Sequence, residues 1–350
     1  MSTLLLDAPV AEPGARASAL RRRLLTFSGV GLGLLGVAAT LPLLLLIALT
    51  IDLVRRGTRF NTTRLVLFLG CFLLIEVFGL LRLALIGLTT RAGSPQRHAR
   101  VYGFERAYSR ALLAVVSRLF SLRFVVQGAE VVEPGPLLVF LRHASLVDVL
   151  VSPAFIANEH GLALRYVIKR ELLVMPCFDV VGHWTPNRFV DRSGHHTADE
   201  LAALKALKAG LPPNGGVAMY PEGTRFTPQK RERAIARLQG VARDRAVELR
   251  HLLPVHPGGV LALLEAEPRC DVLFVGHHGL EGLARVKDIL RGGLVGRTVT
   301  VRFWREKAET VPQEAEARLE WVHRMWVRVD QWLDGTPSPR PSPPRGEGVS

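Results

Sequence analysis

An α/β fold, with a mixed, largely parallel sheet flanked by helices and preceded by an N-terminal membrane-embedded helical hairpin, is what this 350-residue sequence predicts. Three features predict it. Short apolar runs alternate with helix-prone segments from Arg123 onward, the pattern of strands and crossover helices in one sheet. Two polar motifs, starting at Arg142 and Tyr220, each follow directly on an apolar run, where open α/β sheets present reactive groups. Two long apolar runs precede the whole.

Taken in order, residues 1–23 read as a basic N-terminal tail carrying Arg16, Arg21, Arg22 and Arg23. Residues 24–90 read as a membrane hairpin of two apolar helices. Leu24–Ile51 contains no Asp, Glu, Lys or Arg, and at about 1.5 Å per residue it is long enough to cross a hydrocarbon core. A signal peptide is the alternative, but the run is too long for an h-region and no small-residue cleavage site leads into a polar domain. The second run, Leu65–Leu88, is weakened by Glu76 and Arg82; it either spans or lies partly embedded with Arg82 snorkelling. Arginines flank both outer ends, with Arg91, Arg97 and Arg100 after the hairpin, which favours cytoplasmic ends. The connecting loop carries Arg55, Arg56, Arg59 and Arg64, so a re-entrant or monotopic hairpin fits as well.

Residues 91–122 read as a basic amphipathic connector, helical over Ser94–Arg118 with Tyr108, Leu112, Val115 and Leu119 on one face, suited to the membrane surface. Residues 123–335 read as the α/β domain that carries both polar motifs. Expected strands are Arg123–Gln127, Leu137–Leu141, Arg165–Ile168, Val217–Tyr220, Leu252–Val255, Asp271–His277 and Thr298–Trp304; expected helices include Val147–Ala157, Thr197–Ala209 and Val260–Glu265. Leu319, Val322, Met325, Trp326, Val329 and Leu333 make an apolar helical stripe that packs on the domain. Residues 336–350 are a Pro, Ser, Gly and Arg tail expected to be disordered.

The formal net charge of +14 raises the question of nucleic acid. No zinc finger, aromatic RNA-binding signature or basic heptad helix accompanies it, and arginines around an apolar hairpin suit anionic headgroups better. Cys71, Cys177 and Cys270 make no CxxC pattern, which fits reduced thiols. His195-His196 and His277-His278 lack His or Cys partners at ligand spacing, so they read as solvent-facing or strand-end residues rather than a metal site.

In Arg142-His143-Ala144-Ser145-Leu146-Val147-Asp148, a neutral imidazole can take a proton from an alcohol if its other nitrogen is held. Asp148 can hold it, as the acid does in a hydrolase triad. The same residues fit a capping box with Ser145 as N-cap and Asp148 at N3, and the two readings are compatible. No Gly-x-Ser-x-Gly elbow occurs, which leaves His143 activating a hydroxyl of the substrate. In Tyr220-Pro221-Glu222-Gly223-Thr224-Arg225, Gly223 permits a sharp turn or a close approach. Arg225 offers a planar fork for phosphate or carboxylate. A turn closed by a Glu222–Arg225 ion pair is the structural alternative.

Together these motifs resemble the glycerolipid (lysophospholipid) acyltransferase family, 1-acyl-sn-glycerol-3-phosphate acyltransferase-like, marked by His-x-x-x-x-Asp followed by Pro-Glu-Gly-Thr-Arg. His143 and Asp148 match the first motif; Pro221, Glu222, Gly223, Thr224 and Arg225 match the second without substitution. Tyr166–Leu172 resembles a strand and lysine-bearing turn of many members, which brings in Lys169. Phe189-Val190-Asp191-Arg192 resembles the acceptor-binding Phe-Ile-Asp-Arg motif, and Leu252-Leu253-Pro254 with Gly258-Gly259 resembles the fourth, apolar block. The likeness runs from Leu137 to Trp304. Two departures bear on acceptor preference: Arg142 stands where members often have Asn, and Gly182–Arg188 is more polar than usual.

The resemblance implies an O-acyltransferase that moves a fatty acyl group from an acyl thioester to the free hydroxyl, at sn-2, of a lysophospholipid. Lysophosphatidic acid is the default acceptor and phosphatidic acid the product. It implies His143 and Asp148 as catalytic residues, and Glu222, Gly223, Thr224, Arg225, Arg192, Arg188 and Lys169 as substrate-binding residues. No metal or cofactor is implied; acyl-CoA or acyl carrier protein thioester is the co-substrate. Membrane lipids, the lysophospholipid acceptor and the acyl donor are the partners, and nucleic acid is not. Arginine far outnumbers lysine, which hints at a bacterial source, so the expected location is the bacterial inner membrane with the catalytic domain on the cytoplasmic side. The alternatives are a remodelling acyltransferase for another anionic lysophospholipid such as lysophosphatidylglycerol, and a catalytically inactive lipid-binding protein on the same fold.

Overall fold

The computed structural model describes residues 15–55, 59–190 and 198–335. Arg192, His195 and His196, the start of the basic tail and residues 336–350 lie outside the described residues. Three helices lead the chain: α1 (Ala15–Val54), α2 (Asn61–Thr89) and α3 (Pro95–Phe120). The strands that follow are β1 (Arg123–Gln127), β2 (Leu137–Leu141), β3 (Ala163–Lys169), β4 (Arg188–Val190), β5 (Gly215–Met219), β6 (Asp271–His278) and β7 (Thr298–Glu306). They form one sheet in the order β1-β7-β6-β2-β5-β3-β4. Every neighbouring pair is parallel except β6 with β7, so the sheet is mixed and largely parallel.

Helices cover both faces. Between the strands lie α4 (Pro176–Trp184), α5 (Ala198–Ala206), α6 (Pro228–Arg237), α7 (Gly240–Glu248), α8 (Pro257–Glu265) and α9 (Val286–Leu290); α10 (Ala315–Gly335) closes the described chain. The pleat of β2 divides the core, because successive side chains point to opposite faces. Leu137, Val139 and Leu141 join α2, α3 and the segment 147–157 on one side. Leu138 and Phe140 join residues of α5, α8 and α10 on the other.

Three elements differ from the sequence reading. Leu252–Val255 is not a strand, although Leu252 and Leu253 are buried. Its backbone is satisfied by side chains instead: Leu253 N–H donates to Glu222 (2.9 Å) and its carbonyl accepts from Trp326 Nε1 (3.1 Å). The helix expected at Val147–Ala157 is irregular, a 3-10 turn at Val147–Leu150 followed by a π-helical stretch at Pro153–Asn158, as a proline without an N–H disfavours a regular ladder. The half-buried, three-residue β4 had no expected counterpart.

Helix α3, read as a connector on the membrane surface, packs its apolar face into the domain through Val101, Phe104, Tyr108, Leu112, Val116 and Phe120. The stripe is turned slightly from the expected one, since Val115 and Leu119 are only half-buried. Helix α2 docks on α3 and α4. Glu76 is fully buried there, accepting from the Tyr108 hydroxyl and from Cys177 N–H (3.1 Å) in the first turn of α4, the end of a helix that favours negative charge. Gly79 allows the contact: a Cβ there would lie 2.6 Å from Cys177 Sγ. Helix α1 is fastened by Arg22 and Arg23, whose guanidinium groups reach the buried Asp179 of α4 at 3.0 and 3.3 Å. The outer faces of α1 and α2 stay apolar and exposed, Leu32, Leu35, Leu46, Phe78 and Leu85 among them. Both helices are long and apolar enough to cross a membrane.

Candidate active site

Strands β2, β5 and β3 are parallel neighbours, so their carboxyl ends deliver three segments to one edge of the sheet. After β2 comes His143, after β5 the Glu222–Arg225 turn, and at the end of β3 Lys169.

His143 Nδ1 lies 3.2 Å from Asp148 Oδ2. A carboxylate oxygen only accepts, so Nδ1 carries the hydrogen and Nε2 is left as the basic nitrogen. The same Oδ2 accepts from Ala144 N–H (2.6 Å) and Ser145 N–H (2.7 Å), while Ser145 Oγ accepts from Val147 N–H (2.9 Å). Asp148 therefore orients the imidazole and caps the following turn at once. Burial would raise its carboxyl, but the His277 and His143 imidazoles beside it outweigh that and hold it well below the usual carboxylate range. Burial lowers the His143 pKa; Asp148 pulls it back up, and Lys169 and Arg225 push it down. The net direction favours the neutral ring that a general base needs. The Tyr220 ring stacks on the imidazole at 4.3 Å, and its hydroxyl donates to the Asp148 carbonyl (3.0 Å).

Glu222, expected among the substrate-binding residues, is fully buried, and both its oxygens are taken by backbone. Oε1 accepts from His143 N–H (2.6 Å) and Oε2 from Leu253 N–H (2.9 Å). Burial pushes its carboxyl up to about 8, while the His143 and Leu253 N–H groups and Arg142 pull it back toward the ionised form. Two donors aimed at two oxygens suit a carboxylate. Glu222 is thus a brace between the His143 loop and the segment leading into α8. The two motifs are joined a second time where Phe226 N–H donates to the His143 carbonyl (2.6 Å).

Gly223 has φ +62°, and a Cβ there would meet His256 Cδ2 at 2.8 Å, so the turn requires glycine for two reasons. Thr224 Oγ1 and the Arg225 carbonyl both accept from Lys230 Nζ, at 2.7 and 2.9 Å. Lys230, in the first turn of α6, adds a cation beside Arg225 that the sequence reading missed; its signal is its place five residues after Arg225. Arg188 lies at the start of β4, level with Val167 of β3, and Lys169 is level with Val190. Arg188 Nε is buried with no hydrogen-bond partner among the described residues.

The sequence reading took His277 for a solvent-facing or strand-end residue and Arg142 for a departure bearing on acceptor preference, and gave neither a place in the site. His277 is fully buried at the end of β6, next to β2, and its Nε2 lies 3.3 Å from Asp148 Oδ1. The pairing of β2 with β6 ends at Leu141 with Val275; continued two residues, it brings His143 level with His277. Arg142 is buried too. Its guanidinium donates to the His277 carbonyl, to Glu281 (2.5 Å) and to the His251 carbonyl (3.3 Å). Where an asparagine was the expected residue, an arginine clamps the ends of β2 and β6 together.

Residues 123–275 match the family model described as Acyltransferase. The sequence matches none of the curated proteins. Among solved structures, the fold is similar to the crystal structure of the 1-acyl-sn-glycerophosphate (LPA) acyltransferase PlsC from Thermotoga maritima, with a TM-score of 0.50 and 15% sequence identity, over 76% of this chain and 97% of that one.

Proposed function

Since residues 123–275 belong to the acyltransferase family, we propose that this protein moves a fatty acyl group from an acyl thioester to the free hydroxyl of a lysophospholipid at a membrane. Lysophosphatidic acid is the acceptor we assign first, giving phosphatidic acid by acylation at sn-2. The reading is carried by one observation: the His143 imidazole is held by a buried carboxylate at 3.2 Å, on a loop bonded to the arginine-bearing turn.

In this mechanism His143 Nε2 takes the proton from the acceptor hydroxyl as that oxygen forms its bond to the thioester carbonyl carbon. The tetrahedral intermediate collapses with loss of the thiolate of coenzyme A or acyl carrier protein, which takes the proton back from the imidazolium. A thioester is already activated, so the step needs neither a metal nor a covalent enzyme intermediate. Asp148 stabilises the imidazolium. Arg225, with Lys169, Arg188 and Arg192, holds the acceptor phosphate, the geometry for which a guanidinium fork is suited. Thr224 and Gly223 shape the turn that presents Arg225. The exposed apolar faces of α1 and α2 support a hairpin seated in the membrane, and the arginines at its outer ends support a cytoplasmic catalytic domain in a bacterial inner membrane.

The test is to incubate membranes holding the protein, or its His143→Ala variant, with labelled acyl-CoA or acyl carrier protein thioester and a panel including lysophosphatidic acid and lysophosphatidylglycerol. Diacyl product that depends on His143 is the expected result, and the acceptor consumed names the substrate. Near-wild-type transfer by His143→Ala would remove the mechanism.

A further inference from the structure

We infer that His277 is a positioning residue for acyl transfer, its Nε2–H fixing the second oxygen of Asp148 so that one buried carboxylate is held between two imidazoles. The inference rests on His143 being the general base.

The argument begins with the tautomer. His277 Nε2 lies 3.2 Å from the Arg142 carbonyl and 3.3 Å from Asp148 Oδ1. Both are acceptors, so Nε2 must carry a hydrogen. The hydrogen bond goes to the carbonyl, and the carboxylate oxygen takes the electrostatic contact beside it. Oδ2 already accepts from His143 Nδ1, Ala144 N–H and Ser145 N–H. Among the described residues Oδ1 accepts no hydrogen bond, and both side chains are 1% exposed. Remove His277 and a buried carboxylate oxygen loses the N–H that stands beside it. The donors on Oδ2 are then alone in setting the plane of the carboxylate, and rotation about its Cβ–Cγ bond tilts Oδ2 relative to the His143 ring.

The surroundings are built to hold His277 there. Arg142 donates to its carbonyl and to Glu281, which also lies 3.4 Å from His278 Nδ1 and accepts from Gly279 N–H (2.7 Å). The charged groups facing the unit are therefore Arg142, Glu281 and His278 on the β6 side. Lys169 and Arg225 act on His143, and Glu222 on Asp148. None of these replaces the N–H that His277 sets beside Oδ1.

The consequence for chemistry has a sign. The His277 N–H dipole beside Oδ1 draws charge away from Oδ2, which moderates how strongly Asp148 stabilises the His143 imidazolium. Without that donor His143 becomes more basic, and the carboxylate is less well placed.

The experiment is the pH dependence of kcat/KM for the full-length protein in membranes, compared among wild type, His277→Leu and His277→Gln. His277→Leu is expected to move the acidic limb to higher pH and to lower kcat about tenfold or more, as small misplacements near a reacting group do. His277→Gln, whose amide N–H stands near the Nε2 position, is expected to restore much of both. An unshifted limb in a folded His277→Leu protein, or a Gln variant no better than Leu, would overturn the inference. Ring-nitrogen NMR of 15N-histidine-labelled wild type tests the same point without a variant: His277 must be the Nε2–H tautomer, and an Nδ1–H tautomer would sink it. If His143→Ala keeps its activity, the general-base reading fails and this one falls with it. If His143→Ala is inactive and the His277→Leu limb does not move, only the present inference fails.

Discussion

Glu222→Gln changes one oxygen to an NH2 group, and the structure says why that small change should be severe. The carboxylate is fully buried and accepts from His143 N–H at 2.6 Å and Leu253 N–H at 2.9 Å. A glutamine amide accepts at one end only, so its NH2 must face one of the two backbone N–H groups. A hydrogen bond to a charged acceptor contributes about 1.5–3 kcal/mol, and a buried donor left unmade costs about 1–3 kcal/mol. These overlap, so the expected destabilisation is about 2–4 kcal/mol, or roughly 5–15 °C in thermal midpoint for a domain of this size. Because one donor is the N–H of His143 itself, acyl transfer should fall along with stability, while the KM for the acceptor changes less than kcat. Thermal unfolding of the detergent-solubilised protein and initial rates with labelled acyl donor measure both. A Gln variant within about 0.5 kcal/mol of wild type, with normal turnover, would refute the brace and return Glu222 to the substrate pocket.

Other outcomes follow from the same geometry. His143 is lowered by burial below the ordinary histidine value, and as a base it works only when neutral; the acidic limb of kcat/KM should therefore fall below about 6.5, and a limb above that value would contradict the ring's environment. Arg225→Ala should raise the KM for a phosphate-bearing acceptor more than it lowers kcat, if the contact is equal in ground and transition states; initial rates over a range of lysophosphatidic acid concentrations decide it. Asp179→Asn removes the carboxylate that gathers Arg22, Arg23 and His183. With the arginines part-exposed, the loss should be about 1–2 kcal/mol, seen as faster proteolysis at the start of α1, and an unchanged cleavage rate would mean that apolar packing alone docks the hairpin.

The sheet was legible where burial is complete on both faces. Leu137–Leu141 and Gly215–Met219 are buried at every position, so the first read as an unbroken apolar run and the second was caught from Val217 onward, as parallel strands are. That same rule misled at Leu252–Val255, because an apolar run says nothing about whether its N–H groups meet another strand or a glutamate from a distant loop. The short β4 was illegible for the opposite reason: its three residues are all half-buried and one is arginine. In the site, His143 and Asp148 were readable because they are close in sequence and share a loop. His277 was not, since its meaning depends on β6 lying beside β2, and strand order is a long-range property. Glu76 looked like a flaw in an apolar helix; it proves to be a buried cap for α4, a partner 101 residues away.

What the two motifs share is a demand on backbone as much as on chemistry. His143 has its N–H bound by Glu222 and its carbonyl bound by Phe226, while Ala144 and Ser145 donate to Asp148. A loop leaving a buried strand has polar groups that must find partners, and here the motif side chains supply them. The imidazole and the arginine-bearing turn are thereby set on a braced backbone. Two kinds of variant should therefore separate cleanly. Changes at Glu222 or Asp148 would act by moving the His143 ring and would alter kcat with whichever acceptor is used. Changes at Arg225 or Lys230 would leave the ring in place and alter which acceptor is used. If acceptor preference instead tracked Glu222 variants at constant stability, the division between a braced base and a separate anion-holding turn would not describe this site.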